Sequence, residues 1–190
     1  TQYYIPLARN TKMEKLEYIL STGRPKALVF CQTKKMVDDL MERLSDMFKV
    51  GALHGDMPQM KREKVIGNFK KDKISILVAT DVAARGIDVS NIDVVINSDV
   101  PPDAETYLHR IGRTGRAGRT GIAISFVTKM ENPRLRRYED ETGKRIQKMA
   151  VEDFGAILGE RPEPAPVAEK KSSRKSRDDF WEDEEKPAPK

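Results

Sequence analysis

Between Tyr107 and Arg119 the chain sets Arg113, Arg116 and Arg119 behind His109 and Arg110, with a glycine in each interval (Gly112, Gly115, Gly118). Guanidinium groups are permanently charged planar forks that match phosphate oxygens, and glycine lets backbone come close and adopt positive φ where other residues clash. The chemistry on offer is binding a phosphoryl group or stabilising charge on it. A plain basic turn is the alternative, above all for Arg119. A second segment, Thr80–Asp88, joins an apolar run to a hydroxyl, two carboxylates, Arg85 and Gly86. Thr80 can donate to a phosphate oxygen and Asp88 can accept from a ribose hydroxyl, although Asp81 and Asp88 taken alone also suit turn capping. A third polar group is His54-Gly55-Asp56 followed by Gln59 and Arg62, three apart on one helical face. Here the plainer readings are a turn histidine and two solvated helix positions.

The elements that must position these groups alternate. Lys26–Cys31 is a strand-length apolar run, and Thr33–Leu44 follows with Met36, Val37, Leu40, Met41 and Leu44 at helical intervals. Val50–Leu53 predicts a strand, Pro58–Phe69 a helix with Pro58 in its first turn, and Ile74–Ala79 a strand apolar on both faces. Asp93–Asn97, a short helix at Ala104–Ile111, a strand at Ile122–Val127 and a charged helix at Pro133–Thr142 complete the pattern. Alternating β and α units predict an α/β fold, a parallel sheet with helices on both faces. Loops leaving the carboxyl ends of its strands form the working edge. Thr33, His54–Asp56 and Thr80-Asp81 end three strands, and the arginine run, which is the turn before the last core strand, is expected at the same edge.

With 190 residues and 38% hydrophobic side chains, the chain suits one buried core. No run approaches the roughly 18 apolar residues of a membrane span, and the start lacks a basic-then-apolar leader, so no membrane partner and a cytoplasmic setting are expected. The chain opens on Thr1 rather than methionine, which suggests a piece of a longer protein. The single cysteine, Cys31, lies in an apolar run and reads as structural, with a reactive thiol as the alternative. Basic and acidic residues balance over 161–190, so the body carries the whole net charge of +5, compatible with a polyanion partner. From Gly159 onward, spaced prolines, the basic block Lys170–Arg177 and the acidic block Asp178–Glu185 predict a disordered tail, 159–190, after a domain at 1–158. Phe180 and Trp181 give that tail a possible protein-docking pair.

Over residues 1–150 these segments resemble the second, carboxyl-terminal RecA-like domain of DEAD-box RNA helicases. Val29–Thr33 looks like motif IV, Thr80–Asp88 like motif V and His109–Arg116 like motif VI, and His54–Asp56 with Gln59–Arg62 is similar to the family's additional RNA-contacting segment. The resemblance implies that Arg113 and Arg116 reach the terminal phosphates of ATP, with Arg116 as the arginine finger. It further implies that Asp88 and Gly86 meet the nucleotide, and that His109 and Arg110 act at the interface between domains. Thr33, Gly55, Gln59, Arg62 and Thr80 would grip the backbone of single-stranded or duplex RNA, without reading its sequence. The chain has no Gly-x-x-x-x-Gly-Lys-Ser/Thr, since Gly143-Lys144 precedes Arg145, and no Asp-Glu-Ala-Asp. ATP and its Mg²⁺ would therefore sit mainly on an amino-terminal RecA-like partner domain, no metal site is expected here, and this chain alone is expected not to hydrolyse ATP. A binding module for RNA or protein without chemistry, and a DNA translocase of the same superfamily, are the competing readings.

Overall fold

Strands without a polar face must be covered on both sides, and the computed structural model of the chain, which describes residues 1–87, 89, 91–115 and 121–159, has that arrangement. Its strands are β1 (Gln2–Pro6), β2 (Ala27–Phe30), β3 (Val50–Leu53), β4 (Ile76–Ala79), β5 (Val94–Asn97), β6 (Ile122–Val127) and β7 (Gln147–Lys148). They form one sheet in the order β3-β4-β2-β5-β6-β1-β7, every pairing parallel. The inner strand β2 is in register with both neighbours, Phe30 lying beside Ala79 of β4 and Asn97 of β5.

Parallel neighbours need crossovers, and helices supply them: α1 (Lys12–Ser21), α2 (Lys34–Ser45), α3 (Gln59–Lys70), α4 (Asp81–Ala84), α5 (Ala104–Ile111) and α6 (Asn132–Thr142), with α7 (Phe154–Leu158) following β7. The two-residue period of the strands sorts their side chains between two layers. Ala27, Val29, Ile76, Val78, Val94, Ile96, Ile124 and Phe126 face α1, α2 and α7. Leu28, Phe30, Leu77, Ala79 and Val95 face α3 and α4, while Tyr4 and Val127 meet α5 and α6 farther along the same side. Caps fix where helices begin and end: Thr33 Oγ1 accepts from Met36 N–H at the start of α2, Asp103 accepts from Thr106 N–H at the start of α5, and Gly143, at φ 64°, closes α6.

The expected elements are all present, within about two residues at their ends. Pro58 precedes the first turn of α3 rather than lying in it. Beyond expectation are β1, α1, α4, β7 and α7. Four-residue α4 and two-residue β7 are too short to show a period, and β1 buries only Ile5. One positional expectation is corrected. A helix between two parallel strands must return to the edge where the next strand starts, so the turn after α5 lies at the amino ends of the strands, where Thr114 Oγ1 donates to Ile92 C=O at 2.7 Å. Of the described residues of the arginine run, Thr114 thus lies at the amino ends, while the Arg110 side chain reaches back to Asp81 beside Thr80; Arg116 and Arg119 lie outside the described residues.

Cys31 is fully buried next to Ser98, and burial pushes its thiol up to about 12. It is therefore not a thiolate at neutral pH, in keeping with a structural role. Helix α7 is short but not peripheral: Phe154 is completely buried among α1 and the strands. Phe154→Ala should destabilise the chain by about 3–5 kcal/mol, read from the urea midpoint. A loss below about 1 kcal/mol would mean that α7 is not docked as described.

Candidate functional site

Three neighbouring strands deliver the polar segments. At the end of β2, Thr33 caps α2 in extended backbone (φ −126°, ψ 151°) and is exposed. The next residue, Lys34, reaches across to the loop after β3, its Nζ 2.5 Å from Asp56 Oδ2. That hydrogen bond, with the two charges, raises Lys34 and lowers Asp56 from their ordinary values, but both side chains are largely exposed and the pair adds little stability. His54, in the same loop as Asp56, has Nε2 3.5 Å from Asp38 Oδ1 and a buried Nδ1 that has no partner among the described residues. Gly55 has ordinary backbone angles, and a Cβ built on it would meet nothing within 4 Å. The chain's own packing therefore does not require glycine there.

Gln59 is exposed and donates to Glu63 Oε1 at 2.8 Å, the within-helix pairing of a solvated face. Arg62 differs. It is half-buried, and its Nη2 donates to Ala83 C=O at 3.2 Å, tying α3 to the short helix that begins just after Thr80. Thr80 occupies the cap position of α4, with no side-chain cap bond.

Helix α5 carries the other group. Asp103 Oδ1 accepts from Thr106 N–H at 2.7 Å and Oδ2 from Thr106 Oγ1 at 3.0 Å, which together hold its carboxyl below the ordinary range. In the last turn His109 is exposed, whereas Arg110 is only 1% exposed. Its Nε and Nη2 donate to the two oxygens of Asp81 at 2.6 and 2.8 Å. Nη1 donates to the Asp99 carbonyl at 3.0 Å, and Asp99 Oδ1 lies 3.4 Å from both terminal nitrogens. Asn97 Oδ1 stands 3.5 Å from Nη1, and the Phe30 ring lies beneath, 5.2 Å from Cζ. Burial alone would lower this guanidinium's pKa; the Asp81 bonds and the charges of Asp99 and Asp81 outweigh it and raise it. Arg113, one turn on, donates from Nη1 to Ile87 C=O at 3.2 Å, holding the post-helix turn against the loop that contains Gly86 at φ +79°.

Gly86, His109, Arg110 and Arg113 thus line one open cleft of about 200 Å³, with Phe30, Asp81 and Arg85. Thr33, Gly55 and Thr80 lie together at the strand-end edge, and Arg62 is anchored beside them. Asp88 and Arg116 are outside the described residues. Arg110 faces into the domain, its donors engaged internally by Asp81, Asp99 and Asn97, while it also borders the cleft. Asp99 and Asn97 were not anticipated. Their only sequence signal is polar residues directly after an apolar strand, in the run Asn97-Ser98-Asp99. Asp81, which also suited a turn cap, is the main partner of Arg110. Among the described residues no cluster of three His, Cys, Asp or Glu side chains could hold a metal ion, and no helix is long and apolar enough to cross a membrane.

Residues 11–118 match the helicase conserved C-terminal domain. Over 150 residues the chain is 45% identical to the DEAD-box ATP-dependent RNA helicase CshA of Geobacillus kaustophilus, covering 78% of this chain and 32% of that protein. It therefore spans about a third of the length of this curated relative. Among solved structures, it is similar to E. coli DEAD-box protein SrmB bound to regulator of ribonuclease activity A, at 33% identity and a TM-score of 0.75, covering 88% of this chain and 97% of that one. It is also similar to S. cerevisiae Dbp5 bound to RNA and ADP BeF3, at 32% identity and a TM-score of 0.77, covering 83% and 43%.

The Asp103 cap gives the arginine helix a pH dependence. Its carboxyl is lowered in the folded chain, so the stabilisation is complete above the unfolded value of about 3.9 and is lost as pH falls through the lower folded value. Asp103→Ala should cost roughly 1 kcal/mol at neutral pH, and the difference from the native chain should shrink near pH 3, as read by urea midpoints at the two pH values. A difference that is constant with pH would rule out the charged cap.

Proposed function

The chain belongs to the helicase conserved C-terminal domain family, as the carboxyl-terminal domain of a DEAD-box RNA helicase, and on that premise we propose that it is the second motor domain of an ATP-driven RNA clamp. In this reading its cleft closes on ATP held by an amino-terminal domain while its strand-end edge holds RNA. One observation carries the proposal: the cleft at Gly86, His109 and Arg113 and the edge at Thr33, Gly55 and Thr80 are separate surfaces bridged by one buried group, Arg110.

Chemistry at the cleft follows from its residues. Arg113, with Arg116, would offer planar, permanently charged forks to the terminal phosphates, stabilising charge that develops as the phosphoryl group transfers, an effect worth about 10³–10⁵ in rate. Gly86 and Asp88 would let the nucleotide's sugar approach, and His109, exposed at the helix end, would meet the partner domain. Mg²⁺ would supply further neutralisation of the phosphates from the amino-terminal domain. At the other edge, Gly55, Thr33 and Thr80 offer backbone amides and hydroxyls at close range, with Gln59 and Arg62 alongside, contacts that position an RNA backbone without reading bases. Dbp5 bound to RNA and ADP BeF3 supports such a ternary arrangement in a relative. Binding both ligands across two domains, then hydrolysing ATP, would close and reopen the clamp, separating short duplexes or remodelling RNA–protein complexes.

The test joins this chain to a DEAD-box amino-terminal domain and measures RNA-stimulated ATP hydrolysis. The fusion should be active, the chain alone inactive, and Arg116→Ala should lower turnover about 10³-fold or more. An inactive fusion whose chain still binds RNA would favour the binding module without chemistry. A second prediction isolates the edge: Gly55→Ala should leave the thermal midpoint unchanged and weaken RNA binding about tenfold, equivalent to about 1.4 kcal/mol. Unchanged affinity would remove Gly55 from the RNA surface.

A further inference from the structure

One carboxylate is enough to neutralise a guanidinium, and Asp81 already meets Arg110 with both oxygens. The second carboxylate, Asp99, is harder to explain, because its side chain is only 8% exposed and a buried charge is costly wherever the pairing does not need it. Its two oxygens do different things. Oδ1 faces the Arg110 guanidinium, while Oδ2 accepts from the backbone N–H of Gln32 at 2.9 Å and from Ser98 Oγ at 3.1 Å. Gln32 immediately precedes Thr33, and Asp81 immediately follows Thr80. Each carboxylate on Arg110 therefore reports the position of one strand-end loop, Asp81 the loop after β4 and Asp99 the loop after β2. Arg110 in turn lies next to His109 and one turn before Arg113, whose Nη1 holds the Gly86 loop through Ile87 C=O. All five guanidinium donors are taken by Asp81, Asp99 and Asn97. A shift of either loop consequently has to move the helix or break a charge-assisted bond.

We infer that Asp99 is a positioning residue: it couples the loop at Gln32-Thr33 to Arg110, so that RNA held at the strand-end edge sets the placement of the helix that leads into Arg113. This rests on the proposed function, and it assigns to a residue remote from both ligands the transmission between them. Asp99→Asn is the informative change. An amide can still accept at one end but presents N–H at the other, where it meets either the Gln32 N–H or the guanidinium, both donors. The link is cut while Asp81 keeps Arg110 neutralised.

Two measurements test it. In the fused two-domain protein, Asp99→Asn should lower the ratio of RNA-stimulated to RNA-free ATP turnover by about tenfold, within the roughly 5- to 150-fold span of ordinary coupling between sites. Oligouridylate affinity measured without nucleotide should stay within about twofold of native, well under one coupling increment. An unchanged ratio, or turnover and affinity falling together, overturns the positioning role. A native fusion that shows no RNA stimulation at all overturns the proposed function and this role with it. Should Asp99→Asn not fold, the native chain answers by NMR. On titration with oligouridylate, the Arg110 Nε–H resonance should move together with the Gln32 and Thr33 amides, and an Arg110 signal that stays fixed while those amides shift overturns the coupling.

Discussion

A guanidinium cannot shed its charge, so a chain that buries one must bring carboxylates to it. Arg110, at 1% exposure, is the group around which the site is arranged. Leaving such a charge unmatched costs about 3–5 kcal/mol, a large share of the stability of a domain this size. The ends of β4 and β5 are therefore held where Asp81 and Asp99 can reach it. The Phe30 ring below it adds a face on which the plane of the group rests.

Strand order makes this possible. Adjacent strands lie roughly 4.8 Å apart, so β4 and β5, on either side of β2, are separated by about twice that distance. An aspartate at the end of each reaches inward and leaves a gap about the width of one guanidinium. Arg110 occupies it above Phe30, the last residue of the strand between. Had β4 and β5 been direct neighbours, the two carboxylates would have crowded each other, and Thr33 would not lie between their loops. The order β4-β2-β5 is thus the property of the fold that the chemistry needs, and the remaining strands extend the layers that keep it dry.

Most of the architecture was legible because the inner strands are apolar on both faces and alternate with stretches of helical spacing such as Met36, Val37, Leu40, Met41 and Leu44. What stayed hidden has two physical causes. Elements such as α4 and β7 are shorter than any period that could reveal them, and residues 1–24 form β1 and α1 with only Ile5, Leu16, Ile19 and Leu20 buried. Roles were harder to read than places. Arg110 sits in an arginine-rich run and looks, in one dimension, like the others, yet helical geometry turns it inward while His109 points out. Asp99 carries no motif, because its importance comes from strands that are far apart in sequence and adjacent only in the sheet.

The two surfaces also differ in what they offer an anion. At the strand-end edge the cations are already engaged: Lys34 pairs with Asp56, and Arg62 donates to Ala83 C=O. An RNA phosphate arriving there finds hydroxyls, amides and an unobstructed glycine, contacts that are short-ranged and weak one at a time. In the cleft the guanidiniums are engaged as well, Arg110 by Asp81 and Asp99 and Arg113 by Ile87 C=O, but their attraction for an anion grows as a partner surface excludes water. On the proposed reading, a single domain should therefore hold RNA loosely and contribute little to hydrolysis. The strength of each surface appears only when a second domain covers the cleft and adds its own contacts to the strand. The buried strut between them then matters more than the affinity of either, because it makes closure at one surface depend on occupancy at the other.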